Sequence, residues 1–412
     1  MRIRRRDFLK SVGGASLTGT LLGYPAAVLA VNTDRPDQAF SFADDKVPMN
    51  AANLCPRPSA ITKAVARYGA DLDVDMSGAN RSRIMDMKTE ARDGIAAQLG
   101  ISAEDIAIVR NTSEANNIVV QGMSLDPGDE VLLWDQNHPS NGVAWAVRAK
   151  RTGCDVRYFS IPGDTQTVDE VVDLFVNAIG ARTKVVSFTH ISNITGFRLP
   201  AKEICAAIHK QNSGIHVHMD GAQTWGVRDV NLAEIGCDSF SGSAHKWFMG
   251  PREVGILYVT EASQARVWPG VVSIPWGREA EPSVPRARKF EALGQRDDAS
   301  IAGLAATVKF HASMTPAGVQ HRATKIADLL RAAMTDIGVP FVSTANPNFT
   351  SNVIILSAPQ ETRGELIDNV LRDSGIILAG VNGLRLSPHI YNTRDHVERV
   401  VSAVNKSRNL LA

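Results

Sequence analysis

The chain has 412 residues, with 44 Lys and Arg set against 43 Asp and Glu for a net charge of +1, which argues against a nucleic-acid binder or a polybasic membrane binder. Hydrophobic residues at 44% and charged residues at 21% exclude disordered and fibrous classes. The length allows two or three domains of roughly 150 residues, and the dispersed Cys55, Cys154, Cys205 and Cys237 form neither a zinc ribbon nor a disulfide framework.

The first thirty residues read as a leader. Arg4, Arg5 and Arg6 precede Asp7-Phe8-Leu9-Lys10, residues 12–30 carry no charge, and Val28-Leu29-Ala30 offers a small-residue cleavage pattern. Gly13, Gly14, Gly19, Gly23 and Pro25 dilute the apolar run, which favours a twin-arginine signal peptide over a membrane anchor. The expectation is export of a folded chain by the twin-arginine machinery and, in a Gram-negative cell, a periplasmic protein.

Residues 31–60 form an extended segment, and after them strand and helix patterns alternate. Residues 85–99 read as an amphipathic helix closed by Gly100. Short apolar strands are expected at 106–109, 131–134, 156–159, 184–189, 215–219 and 255–259, with helices from 113 and over 143–150, 168–178 and 201–211. This order predicts an α/β fold with a mostly parallel sheet covered on both faces, whose ligands sit at the carboxyl ends of the strands. A Pro-bearing irregular stretch over 267–296 follows. Helix and short strands near 353–356 and 384–387, then a last helix from Thr393, make a smaller α+β C-terminal domain over 299–412, beside a large domain over 61–298.

Polar residues gather where the strands end. The 106–109 strand leads to Thr112 and Ser113 at a helix start, either an ordinary N-cap or an anion site. The next strands lead to His138, to His190 and Asn193, and to Asp220-Gly221-Ala222-Gln223. Ser243-Ala244-His245-Lys246 then runs into Trp247-Phe248-Met249, surroundings that desolvate an amine and suit Schiff-base chemistry. An anion cradle, a carboxylate, a flat imidazole and a buried lysine together match the needs of pyridoxal phosphate.

These motifs resemble the class V branch of the pyridoxal-phosphate aminotransferases, which holds cysteine desulfurases, selenocysteine lyases, kynureninases and isopenicillin N epimerase. The resemblance rests on Thr112-Ser113-Glu114 with Asn117, Asn137-His138 with Asn141, Asp220-Gly221-Ala222-Gln223, Ser243 with His245-Lys246, and Arg385 with Ser387-Pro388 and Tyr391-Asn392-Thr393. It implies fold type I, with a seven-stranded type of sheet in the large domain and the 31–60 segment joining the small one. It also implies roles for single residues. Lys246 would carry the cofactor and shuttle protons, Asp220 would meet the ring nitrogen, and His138 would stack on the ring. Gln223 and Asn193 would bond the phenolic oxygen, and Thr112, Ser113, Ser243 and His245 would hold the phosphate. Arg385, with Asn53 on the N-terminal segment, would bind the substrate carboxylate. A homodimer with shared active sites is implied as well. In it, Gln295 stands where the epimerase-like branch usually has a threonine that bonds the neighbouring chain's phosphate.

Among the family's reactions, residues 374–384 contain no cysteine, so a cysteine desulfurase is not expected. An exported aminotransferase-like or epimerase-like enzyme acting at Cα of a small amino-acid-like substrate is the favoured expectation. The alternatives are a β-lyase and a non-catalytic pyridoxal-phosphate-binding module. Cys55 is either a small core residue or a functional thiol near the substrate mouth. Arg278, Arg286, Arg288 and Lys289 either meet an anionic substrate or form a solvated basic loop. Asp71, Asp73 and Asp75 begin like a calcium loop but lack its later Gly and Glu. His216 and His218 read as strand side chains near the cofactor layer rather than metal ligands.

Overall fold

A computed structural model describes residues 32, 34–274 and 276–411. The leader expected over residues 1–30 lies outside the described residues. The elements that matter for the site are, in chain order, strand β1 (Val47–Pro48), helices α1 (Ser59–Val74) and α2 (Gly78–Leu99), β2 (Ile106–Val109), α3 (Thr112–Gly122), β3 (Glu130–Trp134), α4 (Gly142–Thr152), β4 (Asp155–Phe159), α5 (Val168–Ala178) and β5 (Thr183–Thr189). Then come α6 (Ala201–Gln211), β6 (His216–Asp220), β7 (Ser239–Ser243), β8 (Gly255–Val259), α7 (Asp298–Met314), α8 (Pro316–Asp336), β9 (Ile354–Leu356), α9 (Gln360–Ser374), β10 (Ile376–Ile377), β11 (Ala379–Gly380), β12 (Leu384–Leu386) and α10 (Arg394–Lys406).

Seven strands form one sheet in the order β2-β8-β7-β6-β5-β3-β4, in which only the pairings of β8 are antiparallel. The side chains explain why its strands read as unbroken apolar runs. On β3, Leu132 and Trp134 join a core that includes Phe175 of α5 and Ile204 and Ile208 of α6, while Val131 and Leu133 join a second core with Val119 and Val120 of α3 and Trp145 of α4. Both faces are thus covered, as a parallel sheet requires. Each fully buried side chain of this size contributes about 1.5–3 kcal/mol. A smaller antiparallel sheet, β11-β12-β9, has a separate core under α8, α9 and α10, and β1 pairs in parallel with β10. Among the described residues no helix is long and apolar enough to cross a membrane.

Helix α2 ends on Gly100 at φ 67°, as its glycine implies, but begins earlier than expected, at a Ser77 cap that accepts from Asn80 N–H. Asp71 and Asp73 lie on α1. Strand β7, Ser-Phe-Ser-Gly-Ser, escapes apolar-run reading because three of its five residues are serines, yet every position is buried. Helix α7, immediately after the boundary drawn at 298, packs on α1 and α2 and so accompanies the large sheet. Within the irregular stretch, Arg286–Glu291 forms a short 3₁₀ turn.

Candidate active site

The carboxyl ends of the large sheet's strands open on a cavity of about 240 Å³ lined by Thr112, Ser113, His138, Asn193, Asp220, Gln223, Ser243, His245 and Lys246, among others. These residues come from five separate chain segments. Asp220 is the last residue of β6 and Ser243 the last of β7, while Thr112 opens α3, where first-turn N–H groups have no partner inside the helix. Thr112 N–H donates to Ser243 Oγ, and the two hydroxyls meet at 2.7 Å. This joins the helix start to the end of β7 at the anion-friendly pole of the helix.

Asp220 is buried, its Oδ1 accepting from Ala222 N–H at 2.9 Å and its Oδ2 from Asn116 Nδ2 at 2.8 Å. Lys246 is half-buried and lines the same cavity. Burial pulls its amine below the ordinary lysine range; Asp220 opposes that pull and Arg385 adds to it. Burial likewise holds His138 below the usual imidazole value, against the charge of Asp220, and takes His245 down to about 4, with Lys246 and Arg252 adding to the effect. Both imidazoles are therefore neutral near pH 7, and the Lys246 amine is more easily freed of its proton than a solvated one.

The N-terminal segment closes one side. Gln223 donates from Nε2 to Ala52 O at 3.0 Å and accepts from the Trp247 indole at 2.7 Å. With its oxygen occupied, Gln223 can turn only its second amide N–H to another acceptor. Ala52 N–H donates to Ser387 Oγ, and Cys55 N–H donates to His245 O. Arg385, on β12, is 5% exposed and held loosely, by Asn193 O and Asn50 Oδ1 at 3.3 Å each. Its Nε has no partner, and burial takes the guanidinium down to about 10. An anion is the natural complement of such a group.

One expectation needs correction, and several readings left open in the sequence are decided. Asn53 is exposed and does not line the cavity, because the turn at 50–54 points a different amide inward; Asn50 is the one that meets Arg385. Cys55 is buried 3.5 Å from Tyr391 Oη with its thiol pushed up to about 12 by burial, so it stands as a small core residue. Arg286 is paired with Asp105 and Glu261, Arg288 with Glu104, and Lys289 with Gln264 O, so none of the three awaits a substrate. Gln295 is exposed on another cavity, with Arg296 and Asp297. His216 and His218 share the Ser239 hydroxyl, each at 2.8 Å. Asn116, Asn50 and Trp247 went unassigned from sequence. Asn116 alone carried a signal, standing one helical turn after Thr112 on the buried face of α3.

The family model for class-V aminotransferases matches residues 56–400. The chain belongs to the class-V aminotransferase family. Within it, the isopenicillin N epimerase of Amycolatopsis lactamdurans is 31% identical over 77% of this chain and 84% of its own. The cysteine desulfurase of Haloferax volcanii is 27% identical over 78% of this chain and 79% of its own. Two solved structures of the cystine C–S lyase C-DES share the fold at a TM-score of 0.81. One has glycine covalently linked to the PLP cofactor and the other holds the product cysteine persulfide. They are 21% and 22% identical, over 89% and 88% of this chain and 98% of theirs. These relatives overturn the exclusion of cysteine desulfurases drawn from residues 374–384. One loop without a cysteine is weak ground against the family, because loops vary while the scaffold beneath them persists, and that segment here holds β10 and β11 outside the cavity lining.

Proposed function

We propose that the protein is a pyridoxal-phosphate-dependent enzyme acting at Cα of an amino-acid-like substrate, with epimerase-like or aminotransferase-like chemistry. The observation that carries this reading is the convergence of Lys246, Asp220, the Thr112–Ser243 cradle and His138 on one cavity, with Arg385 beside Asn193 at its edge. The donor set fits the group. A carboxylate at one pole, hydroxyls and a helix start at the other, and a desolvated amine match a ring nitrogen, a phosphate and an aldehyde. When bound, the cofactor supplies that aldehyde and a ring that takes up the electron pair left at Cα.

The chain's own residues do the rest. Lys246 holds the cofactor and moves a proton at Cα. Asp220 keeps the ring nitrogen protonated, and His138 covers the ring. Gln223, oriented by Trp247, gives its free N–H to the ring's phenolic oxygen, and Arg385 grips the substrate carboxylate with its two forked nitrogens. Carbon–sulfur cleavage is the second reading, favoured by the cysteine desulfurase relatives. Incubation with an amino-acid panel in deuterated water separates the outcomes. Deuterium at Cα with inversion marks an epimerase, a 2-oxo acid a transaminase, and pyruvate with ammonia or sulfide a lyase. An absorbance spectrum unchanged by every amino acid would refute an enzyme and leave a binding module.

Two further features belong to this reading. The exposed apolar run of Trp268, Val271, Val272 and Ile274 supports a covering second copy, with Gln295 facing the neighbouring site; a monomeric mass in solution would refute it. The leader pattern supports twin-arginine export, and Arg5→Lys with Arg6→Lys should hold the protein in the cytoplasm.

A further inference from the structure

Behind Asp220 lies a chain of buried polar groups that the chemistry above leaves unused. His216 Nε2 stands 2.8 Å from Ser239 Oγ, which stands 2.8 Å from His218 Nδ1. His218 Nε2 lies 3.0 Å from Asn116 Oδ1, and Ser241 Oγ donates to the same oxygen at 2.6 Å. Asn116 Nδ2 then donates to Asp220 Oδ2 at 2.8 Å and to Ser140 Oγ at 3.2 Å. Finally, Ser140 Oγ lies 2.9 Å from His138 Nδ1, which also accepts from Ser140 N–H at 3.2 Å. Asn116, His216, His218, Ser239 and Ser241 are completely buried.

The donor and acceptor rules allow one direction through this chain. A carboxylate only accepts, so Asn116 must present its NH₂ to Asp220 and its oxygen to His218 and Ser241. His218 therefore carries its proton on Nε2, leaving Nδ1 to accept from the Ser239 hydroxyl. That hydroxyl accepts in turn from His216 Nε2–H, and His216 Nδ1, which has no partner, is left as a bare lone pair. On the other branch, Ser140 accepts from Asn116, and its O–H and backbone N–H both donate to His138 Nδ1. His138 consequently keeps its proton on Nε2. Every donor points toward the site.

We propose that Asn116 is a positioning residue that sets the rotation of the Asp220 carboxylate and the tautomer of His218 together, through the N–H and the oxygen of one amide. It acts through Asp220 and does not line the cavity. The inference rests on the reading that Asp220 meets pyridoxal phosphate, but its structural half concerns this chain alone.

The test has two arms. In the apo protein, ¹⁵N-histidine NMR should show His218 as the Nε2–H tautomer, and Asn116→Leu should abolish that single tautomer, while His138, held by the Ser140 N–H, keeps its own. In the holoenzyme, Asn116→Leu should lower kcat on the order of tenfold with KM for the amino acid little changed, because Arg385 is untouched. Asn116→Asp, similar in shape, supplies an independent variant. It can donate to Asp220 only when protonated, so it should work at low pH and lose activity as pH rises and the introduced carboxyl ionises. An unaltered His218 tautomer in folded Asn116→Leu, or a wild-type pH profile in Asn116→Asp, would overturn the proposal. If the wild-type protein takes up no pyridoxal phosphate, the cofactor reading fails, while the His218 tautomer in the apo protein still decides whether Asn116 sets it.

Discussion

Lys246 owes its lowered pKa to enclosure first, with Asp220 and Arg385 pulling in opposite senses. A lowered pKa means that the neutral, nucleophilic amine is present at a pH where a solvated lysine is still charged. An aldehyde probe should therefore react at position 246 with a pH midpoint below that of surface lysines, and Lys246→Ala should abolish covalent cofactor attachment, read as loss of the visible absorbance band. Arg385→Lys removes the fork that holds a carboxylate in two places, so kcat/KM should fall on the order of tenfold to a hundredfold while cofactor affinity is kept. An equal loss of cofactor would show that Arg385 serves the cofactor pole instead. Lys246, Asp220 and Arg385 were legible in sequence because each stands at or beside a strand and carries the chemistry in its own side chain. Asn50 and Trp247 were not, because their roles exist only through partners, Arg385 at 335 positions away and Gln223 across the turn that follows β6.

At the scale of elements, the alternation of strands and helices was readable wherever a strand was apolar on both faces. It failed at β7, where burial is made tolerable by partners rather than by apolarity: Ser239 bonds the two histidines of β6, Ser241 bonds Asn116, and Ser243 bonds Thr112. No local pattern reveals such partners. The β6–β7 edge also leaves no room at Gly221, where a Cβ would overlap the Phe240 ring and stand 2.8 Å from Ser241 O. Gly221→Ala should cost roughly 1–3 kcal/mol in chemical unfolding and weaken cofactor retention, since Asp220 is its neighbour. Thr167→Ala, which breaks the capping box that starts α5, should cost about 1 kcal/mol and leave cofactor binding intact. If both variants lost cofactor alike, the effect at Gly221 would be one of general stability.

For the molecule as a whole, five fully enclosed histidines set the response to acid. His190, His216 and His389 are pulled down to about 3, and His218 and His311 to about 4, in each case chiefly by burial. The unfolded chain takes up protons on these rings near pH 6.5, before the folded one does. Their neutral state therefore supports the fold fully above about pH 6.5, and that support drains as pH falls toward the folded values, by up to about 1.4 kcal/mol per pH unit for each ring. His209, raised by its bond to Asp238, works in the opposite sense but is one group against five. Melting temperature should fall steeply between pH 6.5 and 4.5, and His389→Gln should flatten the slope. A melting temperature constant over that range would refute this account.

Val47 and Pro48 lie alongside Ile376 and Ile377, and Asn50 bridges to Ser387. An early strand thus takes its partner from far down the chain. During synthesis, residues 47–51 must wait for their hydrogen bonds to residues 375–387, and no product ending before residue 376 can make that pairing or supply Arg385. The cleft is therefore closed well after the last strand of the large sheet has been made, and a chain cut before residue 376 should be inert.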